Sequence, residues 1–262
     1  MTQKLIVSLT SFPGGMGVIV PTLKSLLDQS VLPDKIILYL TMPEFPDRSI
    51  PGDLEKLVRE NPLLEIRFHP RNIRSYTKLV PALHDFPDDI IITVDDDVIY
   101  SSDLIKQLLK EHKKYPESII SQRTRRMRFS ETWDLLPYHS WKIYKHVRYI
   151  TWGSEPKYTN FLTGTGGVLY PPHALAPEST DEALFMALAP TADDVWFWAM
   201  AVKNHTKIKP VFFGSHQTKT LEKPVEHKLT TFNLVDDRNV KFANAIMKKF
   251  PEILEIIQSA KN

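Results

Sequence analysis

Apolar residues follow two alternating patterns along the first 117 residues of the chain. Short continuous runs rich in β-branched residues predict buried strands, at residues 4–10, 35–41, 64–69 and 90–94. Between these runs, apolar residues recur at helical spacing, which predicts helices at residues 18–29, 51–61, 75–84 and 104–115. Strands that alternate with helices are typical of βαβ units, so we expect an α/β protein with a mostly parallel central sheet.

The second half of the chain has a less regular pattern. Apolar runs there predict strands at residues 118–122, 168–170 and 209–213. Helical spacing predicts a helix at residues 193–203 and helical structure at 242–257 that is interrupted by Pro251. No stretch has the composition of a linker between two independent units. We therefore expect one domain over residues 1–262, with a regular half at 1–117 and an irregular half at 118–262.

Composition narrows the class of protein. The formal net charge of +2 gives no general attraction to nucleic acid, and we expect no nucleic-acid partner. The chain has no cysteine, which excludes disulfides and thiolate metal sites. No apolar run approaches the roughly 18 residues that cross a bilayer, and the first residues lead into a predicted strand rather than into a signal peptide. These features predict a cytoplasmic protein.

Three consecutive aspartates, Asp95, Asp96 and Asp97, follow the fourth predicted strand. In open α/β sheets the ligand crevice lies outside the carboxyl ends of the strands. Three carboxylates in one short turn repel one another unless a cation or strong donors neutralise them, and Mg²⁺ commonly combines a few carboxylates with substrate phosphates. The aspartates therefore predict a metal–phosphate site, with a solvated acidic turn as the alternative.

The pattern Asp95-x-Asp97 after a buried fourth strand resembles the DxD motif of the GT-A nucleotide-sugar glycosyltransferases. The residues Ile6-Val7-Ser8-Leu9-Thr10-Ser11-Phe12-Pro13 also look like the first strand and loop of that superfamily, as found in bacterial polysaccharide enzymes. The resemblance implies a GT-A fold, in which residues 1–117 bind the nucleotide and residues 118–262 bind the acceptor.

The same resemblance implies an activity. A sugar would move from a nucleoside-diphosphate donor, in the first place a UDP-sugar, to a hydroxyl of a glycan or lipid-linked saccharide. The reaction would depend on Mn²⁺ or Mg²⁺ and would be inverting. It would serve bacterial surface polysaccharide synthesis, with peripheral contact at the inner face of the cell membrane.

The resemblance also implies ligands for the metal and the donor. Asp95 and Asp97 would hold the metal together with His216, or in second place His227. Contacts with the nucleotide sugar are expected from Thr10, Ser11, Phe12, Lys78, Asp95, Asp96, Gly166 and Gly167. The alternatives are a plain strand-to-helix turn around Phe12, a solvated Lys78 and a simple turn at the glycines.

Asp193 and Asp194 open a predicted helix, where paired acidic residues suit the helix dipole. The resemblance gives them a second role, at the acidic motif that holds the catalytic base of inverting members. We expect Asp194 to take the proton of the acceptor hydroxyl and Asp193 to assist or cap the helix. Trp196 would stack on an acceptor sugar or lie in the core.

A basic segment at residues 123–128 contains four arginines. From this segment Arg126 is expected to contact the acceptor. The cluster would bind the donor diphosphate or a phosphate on the acceptor, with a solvated basic loop as the alternative.

Three rival functions remain open at this point. A haloacid-dehalogenase-like phosphatase also has D-x-D after a buried strand, although normally after the first. A sugar nucleotidylyltransferase carries basic residues in a glycine-rich loop after the first strand, whereas here no basic residue follows Gly14–Gly17 until Lys24. A non-catalytic sugar-binding protein would use the aromatic second half, and its ligand binding would survive Asp97→Ala.

Overall fold

A computed structural model describes residues 3–143, 154–211, 218–222 and 237–260. Its centre is a sheet of seven strands. In spatial order the strands are β11 (Ile208–Pro210), β6 (Ile119–Ser121), β10 (Val168–Tyr170), β4 (Ile90–Thr93), β1 (Leu5–Thr10), β2 (Lys35–Thr41) and β3 (Leu64–His69). Strands β3, β2, β1 and β4 are parallel, and β10 is antiparallel to both β4 and β6. The predicted α/β class with a mostly parallel sheet is confirmed.

Two smaller sheets lie beside the central one. The first pairs β5 (Val98–Tyr100) with β12 (Thr218–Thr220). The second joins β7 (Thr124–Arg126) to β8 (Lys142–Ile143) and β9 (Asn160–Leu162). The sequence pattern predicted none of the strands β5, β7, β8, β9 and β12, each of which has only two or three residues.

The α-helices of the described residues cover both faces of the central sheet. They are α1 (Ile19–Leu27), α2 (Gly52–Glu60), α3 (Val80–Asp85), α4 (Leu104–His112), α5 (Glu182–Leu188), α6 (Asp193–Lys203), α7 (Arg238–Lys249) and α8 (Glu252–Ser259). On β1, Ile6 packs into the apolar layer that contains α3, α6, α7 and α8, whereas Val7 and Leu9 pack into the layer with α1, α2 and α4. This alternation follows from the two-residue period of a strand.

Prolines shape two of the predicted helical segments, of which one differs from the prediction and one agrees with it. The segment predicted as a helix at 75–84 is a 3₁₀ helix at Arg74–Lys78 followed by α3, and Pro81 lies in the first turn of α3, where a missing N–H costs little. The predicted interruption of the last helical segment is confirmed, because α7 and α8 are separate helices and Pro251 lies just before α8.

No helix in the described part of the chain is long and apolar enough to cross a membrane. Strands β6, β10 and β11 come from the second half of the chain and complete the sheet that β1 to β4 begin. The two halves therefore share one central sheet.

Candidate active site

The carboxyl ends of β1 and β4 meet at one edge of the sheet because these strands are parallel. Strand β10 begins at this edge, since Val168 pairs with Thr93 in antiparallel register. The segments that follow β4 and precede β10 therefore lie together. Asp95 comes from the first of these segments and Gly164 from the second.

A lysine ammonium holds two of the acidic side chains at this edge. Lys78, at the end of the 3₁₀ helix, is only 8% exposed, and the Ser8 hydroxyl donates to its carbonyl oxygen at 2.6 Å. Its Nζ lies 2.8 Å from Asp95 Oδ1 and 3.3 Å from Asp193 Oδ2. Burial alone would lower the pKa of Lys78, but the charges of Asp193, Asp95 and Asp194 raise it well above its ordinary value. Lys78 is therefore a charged bridge rather than a solvated lysine.

Both carboxylate oxygens of Asp193 have partners. The Ser75 hydroxyl donates to Oδ1 at 2.7 Å, and Lys78 faces Oδ2. Asp193 is the first residue of α6 and follows the N-cap residue Ala192, so it does not occupy the cap position. Asp193 is thus held by groups from the segment before α3, and its assisting role stays a prediction.

Asp194 is held in a different way. The backbone N–H of Gly164 lies 3.1 Å from Oδ1 and 3.2 Å from Oδ2, and no ion pair of Asp194 is found among the described residues. Burial, followed by the nearby charge of Asp193, raises the pKa of Asp194 to about 8, although Lys78 and the Gly164 N–H oppose this shift. A carboxylate with a raised pKa binds a proton readily, which suits a general base that works near neutral pH.

Gly164 lies between the acidic groups and the lysine. A Cβ atom at this position would lie 3.1 Å from Lys78 Nζ, 3.2 Å from Asp194 Oδ1 and 3.4 Å from Asp95 Oδ1. These distances show that the three polar groups converge on one point. The sequence analysis included Gly164 in a glycine cluster but did not identify its contact with Asp194.

The three consecutive aspartates have different surroundings. Asp96 is 7% exposed, and its carboxylate accepts a hydrogen bond from the Ser11 hydroxyl. Gly15 packs so closely against this pair that a side chain there would overlap both. The carboxylate of Asp96 thus joins the end of β1 to the turn after β4, and its contact with the donor stays a prediction.

Asp95 and Asp97 are both partly exposed. Solvent-accessible carboxylate oxygens suit Mg²⁺ or Mn²⁺, because these ions prefer hard oxygen ligands. Within the ranges that the structure describes, no group of three or more His, Asp or Glu side chains could hold a metal ion. The carboxylates of Asp95 and Asp97 therefore fit a metal ion whose remaining ligands are not among the described His, Asp and Glu side chains. His216 and His227, the predicted third ligands, lie outside the described residues.

The predicted donor-binding residues at the end of β1 lie close to the acidic turn. The Thr10 hydroxyl donates to the Tyr39 carbonyl at 2.8 Å, Ser11 is occupied by Asp96, and Phe12 is half-buried. Contacts of Thr10, Ser11 and Phe12 with a nucleotide stay predictions.

Gly166 and Gly167 have a packing reason for lacking side chains. A Cβ on Gly166 would lie 2.7 Å from the Cβ of Arg123, and one on Gly167 would lie 3.1 Å from a methyl carbon of Leu104. Gly167 also has a positive φ of 93°, which favours glycine. The missing side chains thus make room for protein atoms. A donor contact through the backbone of either glycine stays a prediction.

One expected acceptor contact is wrong. Trp196 is fully buried, its ring packs near Phe185 and Phe250, and its indole N–H donates to the Ser179 carbonyl at 3.1 Å. A ring with no exposed face cannot stack on a sugar, so Trp196 is a core residue. Arg126 is half-buried in β7 between β8 and β9, and its acceptor contact stays a prediction.

Solved structures with a similar fold include TarS of S. aureus and a mannosyltransferase of Pyrobaculum calidifontis. TarS 1–349 of S. aureus shares 13% identity and a TM-score of 0.50, over 84% of this chain and 60% of that one. Its complex with UDP shares 12% identity and a TM-score of 0.50, over 85% and 61%. The mannosyltransferase PcManGT of Pyrobaculum calidifontis, in complex with GDP-Man and Mn²⁺, shares 11% identity and a TM-score of 0.53, over 99% and 74%.

The chain thus spans about three fifths of the TarS fragment, and identities this low establish similarity of fold. A sequence comparison with curated proteins gave no significant match. Glycosyl transferase family 2, by contrast, matches residues 17–176, which is more than half of the chain. The chain therefore belongs to Glycosyl transferase family 2.

Proposed function

We propose that this enzyme transfers a sugar from a nucleoside-diphosphate donor to a hydroxyl of a glycan acceptor, with inversion at the anomeric carbon. The observation that carries the proposal is the Lys78 bridge, which joins Asp95 of the turn after β4 to Asp193 of α6. Asp194, next to Asp193, has a raised pKa and lies against Gly164. A donor-side carboxylate and a candidate base therefore share one edge of the sheet.

The donor site is proposed at Asp95 and Asp97. These two carboxylates would hold Mn²⁺ or Mg²⁺, with His216 as a proposed third ligand. When bound, such a cation supplies positive charge that stabilises a departing diphosphate. The solved neighbours with UDP and with GDP-Man and Mn²⁺ support a nucleotide-sugar donor of this type. Thr10, Ser11 and Phe12, at the end of β1, are proposed to face the nucleotide.

Asp194 is proposed as the general base. Its carboxylate would accept the proton of the acceptor hydroxyl as that oxygen attacks the anomeric carbon and the bond to the diphosphate breaks. Asp193 is less suited to act as the general base, because Ser75 and Lys78 already bind its two carboxylate oxygens. One base acting in a single displacement gives inversion. This stereochemical outcome is part of the proposal.

The acceptor and the setting are also proposals. The irregular half of the chain, residues 118–262, is proposed to bind a glycan or a lipid-linked saccharide of bacterial surface polysaccharide synthesis. Residues 1–117 are proposed to bind the nucleotide within the same domain. We propose a cytoplasmic enzyme with peripheral contact at the inner face of the membrane.

A donor panel tests the proposed function. The protein is incubated with UDP-, GDP- and dTDP-sugars and with saccharide acceptors, in Mn²⁺, in Mg²⁺ or in EDTA, and nucleoside diphosphate release is measured. We expect one nucleotide family to be consumed, only with divalent metal, and NMR of the product to show the inverted anomer. Release of inorganic phosphate from sugar phosphates without any nucleotide would contradict the proposal.

Gly164→Ala should impair transfer while the protein stays folded. The new methyl group would press against Lys78 Nζ and Asp194 Oδ1 at 3.1 and 3.2 Å and would displace one of them. Since small displacements of reacting groups cost about a hundred-fold in rate, we expect a loss of about ten- to a hundred-fold in kcat. Gly17→Ala is the matched control, because nothing lies within 4 Å of its new Cβ. Equal rates for both variants would contradict the proposed site geometry.

A further inference from the structure

We propose that Arg123 and Arg125 form a subsite for an anionic group on the acceptor, in the first place a phosphate. The inference rests on the proposed function and names the class of acceptor. Arg123 immediately precedes β7 and Arg125 lies within it, and the two-residue period of a strand places them on the same face. By the same alternation Arg126, the expected acceptor contact, is placed on the other face.

Arg123 is tied to the segment that holds Asp194. The backbone N–H and the hydroxyl of Thr163 donate to the Arg123 carbonyl at 3.1 and 2.8 Å. The next residue, Gly164, donates its N–H to Asp194. On the other side, Arg123 packs against Gly166. The backbone of Arg123 is therefore hydrogen-bonded to Thr163, the residue directly before Gly164, and Gly164 in turn contacts the candidate base Asp194.

Arg125 lies in an aromatic setting that removes water from its guanidinium. The group lies 4.6 Å from the centre of the Tyr138 ring, and NH1 donates to the Trp141 carbonyl at 2.8 Å. Its buried Nε has no hydrogen-bond partner among the described residues. Burial in the first place, with a contribution from the charge of Arg123, lowers the pKa of Arg125. Two cations thus lie near each other in a partly dry environment.

Neither guanidinium has a carboxylate partner among the described residues, whereas other arginines of the protein do. Arg67 pairs with Glu65 and Asp85, each at 2.6 Å. A paired guanidinium is the usual arrangement for a partly buried arginine. Arg forms two parallel hydrogen bonds with phosphate or carboxylate groups. A bound anion would therefore supply the negative charge that Arg123 and Arg125 lack.

Tyr138, which packs on Arg125, also lies within electrostatic reach of Asp194. Burial raises the pKa of its phenol, Arg125 and Arg123 lower it, and the charge of Asp194 raises it further. Tyr138 thus responds both to the arginines and to the candidate base. The proposed diphosphate position at Asp95 and Asp97 follows β4, whereas Arg125 packs on Tyr138 and Trp141. The proposal therefore assigns an anion held here to the acceptor rather than to the donor diphosphate.

Titration with small anions tests the subsite in the full chain. Glycerol 3-phosphate is titrated by calorimetry in excess UDP, GDP and Mn²⁺, which fill the diphosphate site, and glycerol is the uncharged control. A second arm compares glucuronate with glucose, so that phosphate and carboxylate sources are distinguished. We expect glycerol 3-phosphate to bind and glycerol not to bind. Because hydrogen bonds to charged groups are among the stronger ones, Arg123→Gln and Arg125→Gln should each weaken binding about ten-fold or more.

The control variants separate this result from misfolding and from failure of the donor site. Arg128→Gln removes an exposed arginine of the same segment and should leave anion binding unchanged. Arg125→Lys keeps a positive charge and should retain part of the affinity. Glucuronate binding with the same arginine dependence would support the subsite and assign it to a carboxylate.

Two results would overturn the inference. One is anion binding that is equal in the wild type and in Arg123→Gln. The other is absence of binding by both anions while UDP or GDP still stabilises the protein with Mn²⁺. The nucleotide result is read on the same samples, so that failure of the subsite is distinguishable from failure of the proposed function.

Discussion

Asp194→Asn should reduce kcat for sugar transfer by about a hundred- to ten-thousand-fold, which is the range for loss of a general base. Asparagine has the shape of aspartate, and its carbonyl oxygen can still accept the Gly164 N–H. It cannot take a proton from the acceptor hydroxyl. The KM for the donor should therefore stay near the wild-type value, because the Asp95 and Asp97 positions are unchanged. Initial rates at saturating donor measure the effect.

Asp193→Asn is the comparison that separates the paired acids. It keeps the Ser75 hydrogen bond and loses the ion pair with Lys78. We expect a loss of about ten-fold or less, as for a residue that orients its neighbours. A larger loss for Asp193→Asn than for Asp194→Asn would assign the base to Asp193.

Asp194→Asn should also change how stability depends on pH. The pKa of Asp194 in the folded protein is about 8, above the value of about 4 expected in the unfolded chain. The folded state therefore binds this proton more tightly, and the contribution to stability is complete below about pH 4 and is lost as the pH rises through about 8. Asparagine has no such loss.

Thermal unfolding without metal or nucleotide, from about pH 4 to about pH 9, checks this reasoning. The melting temperature of Asp194→Asn should fall less than that of the wild type over this range, and the variant should be the more stable protein near pH 8. Parallel curves for the two proteins would show that the carboxylate is solvated, which would contradict its raised pKa.

The fold was largely predictable because its central strands are buried on both faces. A continuous apolar run marks such a strand along its whole length, and β2 and β3 agree with the predicted bounds at 35–41 and 64–69. The short strands β7 and β9 carry no such run. They are recognised through their pairing with each other, in which Thr124 faces Leu162, and a local pattern does not reveal such a distant partner.

The composition of the candidate site was predictable, but its contacts were not. Sequence analysis named Lys78, Asp95, Asp193 and Asp194 separately. The Lys78 bridge depends on the crossover connections of the sheet, and Ser75 reaches Asp193 across 118 positions of the chain. No local spacing encodes such a pair. The same reason explains why the Gly164 contact with Asp194 was missed.

The error at Trp196 has a simpler source. Most of helix α6 is apolar on every side, from Val195 to Val202. A helix that is apolar all round lies in the interior, so this stretch itself indicated a buried Trp196. The expectation of sugar stacking used the residue type, whereas the alternative of a core position, which the pattern favours, is the one that the structure shows. Asp193 and Asp194 are exceptions within this helix because they lie in its first turn, at the edge of the sheet.

Asp97→Ala should abolish the metal dependence of nucleotide binding. Of the three consecutive aspartates, Asp96 is buried against Ser11, whereas Asp95 and Asp97 are partly exposed, and Asp95 also pairs with Lys78. Loss of a residue that merely supports a metal ligand costs about ten- to a hundred-fold in metal affinity. Loss of a direct ligand should cost at least the upper end of that range. Asp88→Ala is the control, because Asp88 is an exposed aspartate at the other end of β4.

Calorimetric titration of UDP and GDP into the wild type and into Asp97→Ala, with Mn²⁺ and with EDTA, tests the account most directly. We predict that one nucleoside diphosphate binds the wild type about a hundred-fold more tightly with Mn²⁺ than with EDTA, and that Asp97→Ala shows no such difference. Asp88→Ala should behave as the wild type. Equal binding by the wild type with Mn²⁺ and with EDTA, or metal-dependent binding that survives Asp97→Ala, would contradict the proposed donor site.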